Sequence, residues 1–204
     1  MRSNLKRTAL LFLLIAAPLG AQQQYTMANG AATGRITISG GSTVRSWSCD
    51  VTRFDATVRS PGAIEALPSG RERASFDIPV AGIDCRNRTM NGHLREALRG
   101  DDHPNIAFEL TSYTLTDEST LQARGTLTVG GRSTPIELVA TYTPGTGTLR
   151  VQGEKVLRMT ALGVEPPTLM LGTLKVHDPV TIGFDLVIRQ SAVTLAARNA
   201  AGGR

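Results

Sequence analysis

The sequence predicts an all-β domain: an antiparallel sheet closed into a barrel of about eight strands, with one short helix. Most of the chain alternates apolar and polar residues, the pattern of strands with one buried face and one face in water. Turn-forming Gly and Pro residues separate these segments at short intervals. One stretch, at about residues 88–99, has helical spacing instead. Closing an antiparallel sheet removes its exposed edges, so a barrel is the expected arrangement.

The first 21 residues are predicted to be an export signal peptide. Three basic residues precede an apolar run over residues 9–19, which is shorter than the ~20 residues that a membrane span needs. Small side chains before Gln22 favour cleavage after Ala21, and the alternative is an N-terminal membrane anchor. Cleavage would deliver the protein to the periplasm or the exterior. No later apolar run is long enough to cross a membrane.

The net charge of +5 does not indicate a nucleic-acid-binding protein. Of the 22 basic residues, three lie in the signal peptide and two in residues 191–204, a predicted mobile tail. The domain between them, residues 22–190, therefore has 17 basic and 17 acidic residues. Because this composition is neutral, nucleic acid is not an expected partner. The sequence does not exclude a homodimer.

The first half of the domain contains three predicted strands, over residues 35–39, 43–58 and 74–83. In the second of them the alternation shifts before Phe54. In the third, Phe76, Ile78 and Val80 share one face. Pro79 cannot donate a ladder hydrogen bond, so this strand is expected to lie at an edge or to break there.

The predicted helix carries one apolar stripe at helical spacing, formed by Met90, Leu94, Ala97 and Leu98. This face can lie against the sheet and cover an opening of the barrel. His93 lies off the stripe and is expected to be exposed. Gly100 follows as a stop signal, since glycine adopts a left-handed conformation without a Cβ penalty.

The second half of the domain is a series of predicted strands over residues 106–115, 121–129, 132–142, 149–159 and 180–188. Gly130-Gly131 predicts a tight hairpin because both glycines tolerate positive φ. The segment over residues 162–174 contains Pro166-Pro167 and cannot be a regular helix or a central strand.

Cys49 and Cys85 are the only cysteines in the sequence. In an exported chain a disulfide between them is the simplest interpretation. Closing this loop would stabilise the fold by roughly 4 kcal/mol in the chain-entropy model. Two free thiols and a metal site are the alternatives, and the wide spacing with only three histidines disfavours the metal.

The sequence contains no recognisable catalytic set, so a non-enzymatic protein without a cofactor or metal is expected. The one acid–histidine cluster, Asp101-Asp102-His103, could bind a metal or act as a base. Three adjacent side chains point in different directions, however, and a metal needs convergent ligands. A solvated turn between the helix and the next strand is the preferred interpretation.

The alternating apolar residues are predicted to face the interior of the barrel. Periodicity alone favours a packed interior without a ligand, because apolar inner faces are normal in barrels. The alternative is a tunnel that holds an apolar molecule, and an enzyme acting on such a molecule ranks last. The residues predicted to line the interior are Trp47, Phe76, Ile78, Ile106, Phe108, Leu127, Leu138, Met159, Met170, Ile182 and Phe184.

Three segments, in this order, resemble those of the YceI-like family. The first is IDCRNRTMNGHLREALRGDDHPNIAFEL, a strand, a helix and a His-Pro-x-Ile-x-Phe strand over residues 83–110. The second is the hairpin LQARGTLTVGGRSTPIEL, residues 121–138. The third is RMTALGVEPPTLMLGTLKVHDPVTIGFDLVI, residues 158–188. Together they cover most of residues 35–190.

The resemblance implies a lipocalin-like extended barrel, periplasmic or secreted. It also implies a carrier that holds a polyisoprenoid or fatty-acid-like chain inside, and so favours the ligand tunnel over the packed interior. A packed barrel that acts through its surface as a stress-related or interaction protein remains the alternative. The chain departs from the common pattern at Ala161-Leu162, where many members have Asp-Phe, and its cysteines fit a disulfide-bearing subgroup.

Overall fold

Twelve strands and one helix make up the part of the chain that the computed structural model describes, residues 23–26, 34–61, 63 and 72–190. The predicted signal peptide (1–21) and tail (191–204) lie outside the described residues. The helix, α1, is Arg88–Ala97. The strands are β1 Gln23–Thr26, β2 Gly34–Ser42, β3 Ser46–Val51, β4 Asp55–Ser60, β5 Arg73–Pro79, β6 Ile83–Asp84, β7 Asn105–Leu115, β8 Thr120–Val129, β9 Arg132–Gly145, β10 Thr148–Arg158, β11 Thr168–Leu169 and β12 Leu174–Gln190.

The strands form one strongly curled sheet in which every described pair is antiparallel. Strand β1 pairs with both β4 and β12, so β1, β4, β5, β7, β8, β9, β10 and β12 follow one another round a ring. Strands β2, β3 and β6 branch from β12, and the short β11 also pairs with β12. The predicted all-β, lipocalin-like fold with one short helix is confirmed.

The register places the apolar face of each strand toward the inside of the curl. Strand β12 pairs with β10 from Arg158–Pro179 to Thr148–Arg189, and with β2 through Ile182–Ile38. The β8–β9 hairpin has the predicted two-residue turn, in which Gly130 and Gly131 have φ of 54° and 81°. Alternation with a period of two then carries every second side chain inward.

The segment over residues 43–58 is two strands rather than the one predicted. Between β3 and β4, the backbone N–H of Thr52 donates to the carbonyl oxygen of Gly82 at 2.7 Å, which ends the pairing of β3. Phe54 then fills the joint and is only 2% exposed. The shift in alternation before Phe54 marks this break. Pro79 ends β5, as its missing N–H predicts.

Helix α1 begins and ends close to the predicted limits. The side chain of Asn87 caps it by accepting a hydrogen bond from the backbone N–H of Met90 at 3.0 Å. The predicted role of Gly100 is wrong, because Arg99 adopts the left-handed conformation, with φ of 53°. Gly100 is needed for close packing instead, since a Cβ there would lie 2.9 Å from Cγ1 of Val80.

A disulfide joins Cys49 to Cys85, as predicted. The neighbouring residue pairs Asp50–Asp84 and Val51–Ile83 hold β3 against β6, so the two cysteines lie at the next position of the same ladder. The bridge therefore ties β3 to the chain directly before α1. Within the described residues, no helix is long and apolar enough to span a membrane.

Candidate functional site

The curled sheet and α1 enclose a cavity of about 850 Å³. This volume lies in the range of pockets that hold small-molecule ligands. Its walls come from most of the strands, including β2 and β3 beside the ring, and most of the lining surface is apolar. The interior is therefore hollow rather than filled by side chains.

Ten of the eleven residues predicted to face the interior line this cavity. Met170 begins the 3-10 turn Met170–Gly172, and its side chain lies outside the described part of the structure. The ten are Trp47, Phe76, Ile78, Ile106, Phe108, Leu127, Leu138, Met159, Ile182 and Phe184. Their role in binding a ligand stays a prediction.

Two aromatic rings of the lining lie over glycines on the adjacent strands, which leave room for them. A Cβ on Gly153 would lie 2.7 Å from the ring of Phe184, and one on Gly125 would clash with the ring of Phe108. Glycine within a strand commonly marks such a close approach. Phe76 packs beside Phe108 with ring centroids 6.1 Å apart, a tilted aromatic pair. The centre of the cavity stays open as a result.

Helix α1 contributes its apolar stripe to the lining. Met90, Leu94, Ala97 and Leu98 all face the cavity, so the helix covers one part of it. His93 was expected to be exposed, but it is half-buried and also lines the cavity. One turn separates His93 from Ala97, which places its ring beside the stripe rather than opposite it.

A small polar network fixes the start of α1. The carboxylate of Asp84 accepts hydrogen bonds from the side chain of Asn91 and the backbone N–H of Arg86, both at 2.9 Å. The Asn91 side chain also accepts from the backbone N–H of Cys85 at 2.8 Å. The hydrogen bond from Asn91, followed by that from Arg86, holds the pKa of Asp84 below its ordinary value. These contacts link the helix to the disulfide.

One buried acid lies in the lining, at the start of β5. Glu72 is 5% exposed, and its carboxylate accepts a hydrogen bond from the hydroxyl of Tyr113 at 2.6 Å. The hydroxyl of Ser60 donates to the same carboxylate at 3.4 Å. Sequence analysis did not identify this group, because its three members come from separate segments.

Two basic residues, Arg45 and Lys155, also line the cavity, and sequence analysis did not predict either of them. Arg45 lies in the turn between β2 and β3 and is exposed. Lys155 lies on β10 and is half-buried. The sequence does carry a signal for Lys155, since it has the same parity as Val151 and Leu157 along the strand.

Asp101 and Asp102 lie away from the cavity, in the turn after α1. Asp101 forms an ion pair with Arg95, and Asp102 lies 3.8 Å from Arg99. His103 packs against the hairpin turn at Gly131. The two acids thus lie beside arginines at the exposed C-terminal end of α1.

The fold and cavity define a lipocalin-like antiparallel protein with a hollow, apolar interior. The family model described as YceI-like domain matches residues 25–188. This match spans most of the chain, and the chain belongs to the YceI-like family. No curated protein matches the sequence at a significant level.

Several solved structures share the fold. BcnA of Burkholderia cenocepacia is 17% identical, with a TM-score of 0.64 over 76% of this chain and 95% of that one. A polyisoprenoid-binding domain from Saccharophagus degradans, implicated in plant cell wall breakdown, is 9% identical, with a TM-score of 0.62 over 84% and 100%. The YceI protein of Campylobacter jejuni is 16% identical, with a TM-score of 0.59 over 71% and 85%.

Proposed function

We propose that this protein is an exported, non-enzymatic carrier that holds a long apolar amphiphile, such as a polyisoprenoid or a fatty-acid-like lipid. The observation that carries the proposal is the cavity of about 850 Å³ with an almost wholly apolar lining. Burying ten methylene groups there would contribute roughly 8 kcal/mol before ordering costs. A net gain of about 8 kcal/mol corresponds to a dissociation constant near 1 μM, so a chain longer than ten methylenes is needed to offset the ordering costs.

Two further observations support the proposal. The domain from Saccharophagus degradans with the same fold is described as polyisoprenoid-binding. The Cys49–Cys85 disulfide fits an oxidising compartment, which agrees with export by the predicted signal peptide.

Partly filling the cavity should weaken binding without unfolding the protein. Leu138 lines the cavity, and Val139, the next residue on β9, is 56% exposed on the outer face. We expect Leu138→Trp to weaken binding of a fluorescent long-chain methyl ester by about tenfold or more, since the larger ring occupies ligand volume. Fluorescence titration measures the dissociation constant, and thermal melting checks the fold.

Val139→Trp is the matched control, and it should bind the ester as the wild type does. Equal affinity in the wild type and both variants would place the ester outside the cavity. A wild-type protein that binds no long-chain ester at all would contradict the carrier.

A further inference from the structure

Lys155 faces the cavity from an otherwise apolar stretch of wall. Its side chain lies on the inner face of β10, as do those of Val151 and Leu157, which also line the cavity. Across the ladder Lys155 pairs with Ile182 of β12, which in turn pairs with Ile38 of β2. The nearest inward-facing neighbours along and across the wall are therefore hydrocarbon.

The ammonium group of Lys155 has no hydrogen-bond or ion-pair partner within the described residues. The acid of the lining, Glu72, is engaged with Tyr113 and Ser60. Strand β5, which Glu72 precedes, lies four strands from β10 round the ring. This cation in an apolar wall is therefore available to an anion supplied from outside the chain.

Beside Lys155, β10 is paired on one side only. Pairing between β9 and β10 ends at Ala140–Gly153, and Lys155 lies two residues beyond this point. From there to Arg158, β10 pairs with β12 alone. Residues such as Phe184 and Val151 line the cavity beside this one-sided ladder and keep it apolar.

We propose that the ligand is an acidic amphiphile whose carboxylate or phosphate headgroup binds the ammonium of Lys155 while its apolar chain occupies the cavity. This inference rests on the proposed carrier function and specifies the ligand class. A charge-assisted hydrogen bond of this kind is stronger than a neutral one and selects an acid over its ester. In the alternative conformation, the Lys155 side chain extends along the wall and its ammonium lies in water. In that position it would not discriminate between an acid and its ester.

The test compares binding of cis-parinaric acid with that of its methyl ester, which has the same chain without the charge. We expect the wild type to bind the acid about tenfold more tightly than the ester. Lys155→Met should lose this preference and keep the wild-type affinity for the ester, whereas Lys155→Arg should retain the preference. Arg158→Met removes a positive charge from the exposed face of the same strand and should behave as the wild type. Competition by an alkyl phosphate and by a fatty acid of equal chain length then identifies the headgroup.

The outcomes separate this inference from the carrier function. If the wild type binds the acid and the ester equally, or if Lys155→Met keeps the preference, the role of Lys155 is overturned and the carrier stands. If the wild type binds neither probe, the role of Lys155 and the carrier function are both overturned. Loss of ester binding in Lys155→Met together with a lowered melting temperature would assign Lys155 to the fold and overturn its role in recognising the headgroup.

Discussion

Replacing Cys49 and Cys85 together by alanine should lower the free energy of unfolding by about 4 kcal/mol. The bridge closes a loop with a sequence separation of 36, and the chain-entropy model gives this magnitude for such a loop. The same bridge ties β3 to the chain before α1, which carries part of the cavity lining. We therefore expect the variant to bind an apolar probe less tightly as well, because the helix is less firmly seated.

Urea denaturation followed by circular dichroism measures the change in the free energy of unfolding. The wild type treated with a reducing agent is the control, and it should unfold at the same urea concentration as the double variant. An unfolding midpoint equal to that of the oxidised wild type would show that the bridge does not stabilise the fold.

Phe184→Asp should destabilise the protein by about 3 kcal/mol or more. The substitution removes a ring that packs over Gly153 and puts a carboxylate into an apolar wall. Thermal melting of the purified variant measures the effect. Such a loss is a large part of the stability of an ordinary domain, so expression itself is expected to fall.

Val156→Asp is the matched control for this prediction. Val156 lies on the adjacent strand β10, faces outward and is 60% exposed, so the new carboxylate stays in water. Its melting temperature should stay within a few degrees of the wild-type value. If Phe184→Asp melted as this control does, the inner and outer faces of β12 would be the reverse of those described.

Local patterns were sufficient to predict the facing of the strands and the helix. Alternation with a period of two depends only on neighbouring residues, so it placed Phe108 on β7 and Phe184 on β12 toward the interior. The helix was equally predictable, because its stripe has one regular spacing. The pairing of strands was harder to predict from sequence. Strand β1 has no alternating pattern, and only its pairs with β4 and β12 identify it as a strand. The eight strands of the ring include β1, whereas the predicted strand over 35–39, part of β2, lies outside the ring.

Sequence analysis missed the polar residues of the cavity, for two different reasons. Glu72 is buried where Ser60 and Tyr113, from separate segments, meet it in the folded chain. Lys155 was missed for a different reason, since a lysine in a strand is normally assigned to the solvent-exposed face. Its parity with Val151 places it inside, which shows that alternation was the better guide at this position.

Native mass spectrometry of the freshly purified protein tests the proposed carrier function most directly. We predict a complex heavier than the chain by the mass of one lipid-like molecule, which is lost on denaturing extraction and appears in the organic phase. The Leu138→Trp variant should be purified without this mass and Val139→Trp with it. A wild-type protein that carries no such mass, and takes up no long-chain acid or ester when these are added, would contradict the account.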